Sequence, residues 1–185
     1  MEERRTSRWR TAWHWIREIG PWVLIAALAV YLVWTTYPSI DLSAEPRPVP
    51  DFSAPTLRGE PFRLSAHRGQ VLVLNVWATW CPPCRLEMPG LSKLQRQFRE
   101  RDVLVVGLNV NEDGLEAARS FVEESNITYP QIDGRRIAYQ HFPGDAIPRT
   151  YLVDRQGRIR FEHTGFIVPS ALESGIEALL AEPAP

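Results

Sequence analysis

The hydrophobic positions of the chain fall into three patterns. One is a single run, PWVLIAALAVYLVWTTY (Pro21 to Tyr37), inside a stretch with no charged side chain between Glu18 and Asp41. At about 1.5 Å per residue, a helix of that length just crosses a bilayer core of roughly 30 Å. A second pattern is β-favouring and short. VLVLNVW (Val71 to Trp77) is apolar on both faces and predicts a central strand, and DVLVVGLNV (Asp102 to Val110) predicts a second buried strand. The third is helical. In CPPCRLEMPGLSKLQRQFRE, residues Leu86, Leu91, Leu94 and Phe98 predict a core face, with a kink expected at Pro89. LEAARSFVEES (Leu115 to Ser125) predicts another helix, and SALESGIEALLAE an amphipathic closing one. TYLVD (Thr150 to Asp154), the turn RQGR and IRFEHTG predict an antiparallel hairpin. Such alternation of strands and helices predicts an α/β domain.

Charge gives the apolar run a direction. Arg4, Arg5, Arg8, Arg10 and Arg17 precede it against only Glu2, Glu3 and Glu18, so the arginines are expected to stay cytoplasmic. Trp13, Trp15 and Trp22 on one side, and Tyr31, Trp34 and Tyr37 on the other, suit the two membrane interfaces. The expected organisation is a basic cytoplasmic segment over 1–20, a transmembrane anchor over 21–37, a proline-rich stalk over 38–48 and a domain over 49–183. A cleaved signal peptide is the rival reading, but TTYPSIDLSAE offers no good small-x-small cleavage site, which favours an uncleaved anchor. The spaced prolines of IDLSAEPRPVP favour an extended spacer over a helix. Residues 41 to 185 hold 16 Lys+Arg against 19 Asp+Glu. That mildly acidic balance leaves no basic patch to recruit nucleic acid.

Cys81 and Cys84 are the chain's two cysteines, in WATWCPPCRLEMP directly after the central strand. A helix that begins there gathers backbone N–H groups and the positive end of its dipole around the first sulfur, which favours thiolate. Cys81 is predicted near the N-cap, Pro82 or Pro83 in the first turn where no N–H is needed, and Cys84 one turn in. The pair can close a disulfide, with Cys81 as the exposed attacking thiolate and Cys84 as the shielded thiol that resolves the mixed disulfide. A structural disulfide is the bland alternative, but so small a loop adds almost nothing to stability. Zinc would need two more ligands, and His14, His67, His141 and His163 show no paired spacing. No metal or cofactor is therefore expected, and redox chemistry is the preferred reading.

From about Val49 to Glu182 the chain resembles the thioredoxin superfamily, and most closely its membrane-anchored TlpA/ResA branch of thiol-disulfide oxidoreductases. The resemblance is carried by PDFSAPTLRGEPFRLSAHRGQVLVLNVWATWCPPCRLEMP, by GLNVNED and by AIPRTYLVDRQGRI. It implies a thioredoxin-like fold, a central mixed β-sheet flanked by helices, preceded by one N-terminal transmembrane helix. It also implies that Cys81 is the nucleophile, Cys84 the resolving thiol and Pro148 a cis-proline facing their disulfide. Cis costs little before proline, so Ile147-Pro148 is the natural bond to carry it, and the Ile147 backbone could then pair with a substrate strand. The bland reading of Pro148 is a residue that shapes a loop entering a strand. Trp80, Pro82, Pro83 and Ile147 are the expected substrate contacts, and Trp77 is expected to pack. Where cytosolic thioredoxin has a buried aspartate on the strand leading to its motif, this strand has Asn75. Glu87 matches the acidic residue typical of the branch and could relay a proton to Cys84 or raise its pKa. Its bland reading is a favourable charge near the helix start. The segment NVNED is placed beside the active site by the resemblance, with a solvated turn as the alternative.

The function implied is reduction of disulfides in extracytoplasmic proteins by a single-pass membrane protein, itself kept reduced by a membrane thiol electron donor. Apocytochrome c is the substrate suggested by the resemblance, because haem attachment requires its CxxCH thiols reduced. A disulfide oxidase would use the same residues at a more oxidising potential. A copper-binding thiol chaperone would require a histidine near the thiols. A peroxidase would need a threonine and an arginine around a lone cysteine, an arrangement that ATWCPPC lacks.

Overall fold

The computed structural model describes residues 20–29, 40, 42 and 45–184. The chain divides into two units, Met1–Pro38 and Ser39–Pro185. In the first, residues 20–29 are helical. Among the described residues no helix is long and apolar enough to cross a membrane, and positions 30–37 of the expected anchor lie outside them.

The second unit is built on the strand whose burial its sequence predicted. In β4 (Val71–Trp77) all seven residues are buried, because successive side chains point to opposite faces and both faces are covered. Val71, Val73 and Trp77 pack under α1 (Pro82–Gln97), α2 (Glu116–Glu124) and α4 (Leu172–Ala181). Leu72, Leu74 and Val76 pack on the other face, with α3 (Arg135–His141) and the small hairpin of β2 (Ser53–Pro55) and β3 (Pro61–Arg63). The six-stranded mixed sheet runs β1 (Arg47–Pro48), β8 (Arg158–Thr164), β7 (Arg149–Val153), β4, β5 (Val103–Asn109), β6 (Gln131–Asp133). β4, β5 and β6 are parallel, while β7 and β8 form the antiparallel hairpin. Asp154 closes that hairpin by accepting from the N–H groups of Gln156 and Arg158. This is the thioredoxin-like arrangement.

Two expectations differ from what is observed. Leu86 is 74% exposed, whereas Leu91, Leu94 and Phe98 are buried. The inner face of α1 runs through Cys84, Glu87, Met88 and Leu91, and Leu86 falls between the turns of that stripe at about 100° per residue. Pro89 lies inside the continuous helix Pro82–Gln97. At the other end, Arg47 and Pro48, expected in the stalk, pair with Ile159 and Arg158 as β1.

Register aligns four positions in one row across the sheet: Thr150 beside Asn75, Asn75 beside Gly107, and Gly107 beside Gln131. Gly107 has a steric role there, since a Cβ would stand 1.8 Å from Gln131 Oε1. That oxygen accepts a 2.8 Å hydrogen bond from Trp77 Nε1. The row lies on the side of the sheet covered by α1.

Candidate active site

β4 delivers the chain to the site and α1 receives it. Cys81 is the N-cap of α1 in extended conformation, and its sulfur accepts from the Cys84 N–H at 3.3 Å. The carbonyl of Cys81 accepts from Arg85 N at 3.2 Å. Pro82 and Pro83 occupy the first positions, where a missing N–H costs nothing. Cys81 and Cys84 are joined in a disulfide with their Cα atoms 5.3 Å apart. Cys84 is fully buried, and Cys81 is 4% exposed, far less than the exposed thiolate that was expected. Bonded to Cys84, the Cys81 sulfur sits in an apolar cluster that includes Met88 and Ile167, with Ile147 packed against it.

The turn before Cys81 is held from the end of β5. Asn111 accepts from Thr79 N at 3.0 Å and donates to Thr79 Oγ1 at 2.8 Å. Asn109 donates in turn to Asn111 Oδ1 at 3.2 Å. Both asparagines are buried, so the solvated-turn reading of NVNED holds only for Glu112 and Asp113, which are exposed.

Glu87 is 1% exposed, which removes the reading of a surface charge near the helix start. One turn beyond Cys84 on the inner face, it receives a donor at each oxygen: Asn75 Nδ2 at 2.7 Å and the Ile167 N–H at 3.3 Å. Burial penalises the carboxylate and pushes its pKa from 4.5 up to about 7, while the two hydrogen bonds pull the other way. Thr150 completes the group, accepting from Asn75 Nδ2 at 3.2 Å. Sequence reasoning missed Thr150 and Ile167. Their only signals were a threonine at the start of a β-run and a glycine-turn segment, GFIVP, neither of which states what it will face.

The Ile147-Pro148 bond is cis, immediately before β7. Pro148 is buried and its carbonyl accepts from Gly165 N at 2.8 Å. The same loop thus touches the proline at Gly165 and the acid at Ile167. Around the disulfide, Trp80 is 63% exposed, Pro82 is exposed, and Pro83 and Ile147 are half-buried. Among the described residues no cluster of three or more His, Cys, Asp or Glu is placed to hold a metal ion. A disulfide at a helix N-terminus, with a buried acid one turn beyond Cys84 on the same inner face, is equipped for thiol-disulfide exchange.

Residues 46–162 match the family described as AhpC/TSA. The chain belongs to the AhpC/TSA family. Among its relatives in this thioredoxin-like family, "Thioredoxin-like protein YneN" of Bacillus subtilis is 30% identical over 84% of this chain and 94% of its own length. "Thiol-disulfide oxidoreductase ResA" of Geobacillus kaustophilus is 30% identical over 85% of this chain and 90% of its own. The solved structure of a thiol:disulfide interchange protein from Chlorobium tepidum superposes with a TM-score of 0.67 at 28% identity, over 75% of this chain and 99% of that one. With these AhpC/TSA relatives the chain is an enzyme of the thiol-disulfide oxidoreductase class.

Proposed function

We propose that this enzyme is a membrane-anchored reductase of disulfides in exported proteins, with Cys81, Cys84, Glu87 and Pro148 as its catalytic residues. The observation that carries the reading is the placement of Glu87, buried one turn from Cys84 and able to hold a proton near neutral pH. In the reduced enzyme the Cys81 thiolate attacks one sulfur of a substrate disulfide and releases the other as a thiolate. Cys84 then gives its proton to Glu87 and attacks the Cys81 sulfur, which releases the second substrate sulfur as a thiolate and closes the Cys81-Cys84 disulfide. Trp80, Pro82, Pro83 and Ile147 are the residues proposed to contact the substrate as it approaches the Cys81 sulfur. The half-buried Ile147 backbone before the cis bond is available to pair with an extended substrate segment.

Residues 21–37 anchor the protein, with the arginines on the cytoplasmic side and the domain on the extracytoplasmic side. A reductant in an oxidising compartment needs continuous supply, and a thiol donor in the membrane provides it. Apocytochrome c, whose CxxCH thiols must be reduced before haem attachment, is the substrate that the ResA likeness favours. Replacing Cys84→Ser in intact cells tests the reading. It should freeze a mixed disulfide on Cys81 whose partner carries a CxxCH segment. Recovery of no thiol-linked partner would sink it.

A further inference from the structure

The two donors that hold Glu87 differ in kind. Ile167 offers a backbone N–H, which can only donate. Asn75 offers a primary amide, a donor at one end and an acceptor at the other. Its Nδ2 is shared between Glu87 Oε1 at 2.7 Å and Thr150 Oγ1 at 3.2 Å. Its Oδ1 is buried and finds no partner among the described residues. Asn75 and Thr150 are fully buried and Glu87 nearly so.

An ionised carboxylate can only accept, so it requires the Nδ2 end of Asn75. A protonated carboxyl group has an O–H to give, and it is better served by the Oδ1 end. The last torsion of asparagine is broad and roughly two-fold, so half a turn exchanges the two ends within the same space. Thr150 does not resist the exchange, because a hydroxyl donates or accepts with equal ease. None of the hydrogen-bond partners of Glu87 is a cation that would hold it ionised. The titratable groups facing it are Cys84 on its own helix and Tyr129 from the segment before β6. The Tyr129 hydroxyl stays protonated through burial and, in addition, the Glu87 charge. From β4 the hydrogen-bond partner of Glu87 is the neutral side chain of Asn75, which Thr150 of β7 backs, and from the loop after β8 it is the Ile167 backbone N–H.

We infer that Asn75, backed by Thr150, is a reversing hydrogen-bond partner of Glu87: its amide presents Nδ2 to the carboxylate and turns over to present Oδ1 to the carboxylic acid. The acid then stays aimed while it gains or loses its proton. Asn75 is thus a positioning residue, and its role rests on the proposed reading in which Glu87 serves Cys84. In that step the Cys84 S–H bond breaks and its proton goes to a Glu87 oxygen. The sulfur's electron pair forms the bond to Cys81, and the electron pair of the mixed disulfide leaves on the substrate sulfur. Asn75 exchanges neither electrons nor protons.

The test uses the full chain, reduced, with 15N in asparagine side chains and 13C in glutamate carboxyls, followed by NMR from acid to alkaline pH. The Asn75 side-chain amide signals should move with the same midpoint as the Glu87 carboxyl, and this movement should vanish in Glu87→Gln. An Asn75 amide that stays still while Glu87 titrates would overturn the inference, as would a Glu87 that does not titrate at all. Disulfide exchange gives a second readout. Asn75→Asp can only accept when ionised and adds a like charge, so the midpoint of the pH profile should rise by at least about one pH unit, a tenfold change in proton affinity. Thr150→Ser should keep the wild-type profile and Thr150→Val should shift it. Superimposable profiles for Asn75→Asp and Thr150→Val would also overturn the inference. If Asn75→Asp does not fold, the wild-type NMR arm decides alone. Absence of exchange by the wild-type chain would defeat the proposed function and leave the NMR result standing, so the two failures are distinct.

Discussion

Asn111 grips Thr79 at both its backbone and its side chain, accepting from the amide at 3.0 Å and donating to the hydroxyl at 2.8 Å. Thr79 lies two residues before Cys81, so the end of β5 sets where the turn carrying Cys81 leaves β4. Asn111→Ala removes both bonds and leaves the Thr79 groups partly shielded without partners. It should cost about 2 kcal/mol in denaturant unfolding and slow disulfide exchange. Alanine at the adjacent exposed Glu112 should change neither. An unfolding midpoint for Asn111→Ala equal to wild type would refute the brace.

Glu87 should make stability depend on pH. Below about 4.5, its ordinary value, the acid is protonated whether the chain is folded or not. Between there and about 7 only the unfolded chain releases the proton, so stability falls as pH rises. Above 7 the whole penalty stands, up to about 3 kcal/mol. Glu87→Gln cannot ionise, so its stability advantage over wild type should grow across this window and then level off. Parallel stability curves for the two proteins would contradict the buried titration. In exchange assays with a small disulfide and a CxxCH peptide, the same variant should lose its pH dependence near neutrality and slow by up to about a hundredfold.

Gly107→Ala should be costly although alanine suits a buried position. The new Cβ would meet Gln131 Oε1 at 1.8 Å, so Gln131 must move and Trp77 Nε1 loses its acceptor. Overpacking and a buried unpaired donor together should cost about 2–4 kcal/mol. Trp77 fluorescence in the folded protein should change as well. A variant with wild-type stability would show that Gln131 has another place to go.

The topology is testable by a reporter fused after residue 45. The fusion should be active only outside the cytoplasm and remain with membranes. Activity inside would reverse the orientation, and a mature protein beginning near Glu45 would replace the anchor with a cleaved leader.

Much of the fold was legible because its signals are local. β4 and β5 are long enough, and apolar enough on both faces, to declare themselves as central strands. The hairpin of β7 and β8 is marked by its turn, and Cys81 at the N-cap follows from a strand that ends two prolines before a helical pattern. β6, β2 and β3 escaped notice because strands of three residues carry too little periodicity to distinguish from loop.

Which residues could do chemistry was written along the chain: two cysteines at disulfide spacing, an acid one turn beyond, and a proline preceded by isoleucine that could carry a cis bond. These depend on helix pitch and on the peptide unit, which are the same in every protein. That Leu86 faces outward while Glu87 faces inward was settled by packing, because the two are neighbours in the chain and the choice belongs to what packs against α1. Packing also decided that Asn75 and Ile167 meet Glu87, with Thr150 behind Asn75. They come from β4, β7 and the loop after β8, and no pattern along the chain records which strands lie side by side. The proton affinity of Glu87 follows from that meeting, since burial raises it and the hydrogen bonds temper it.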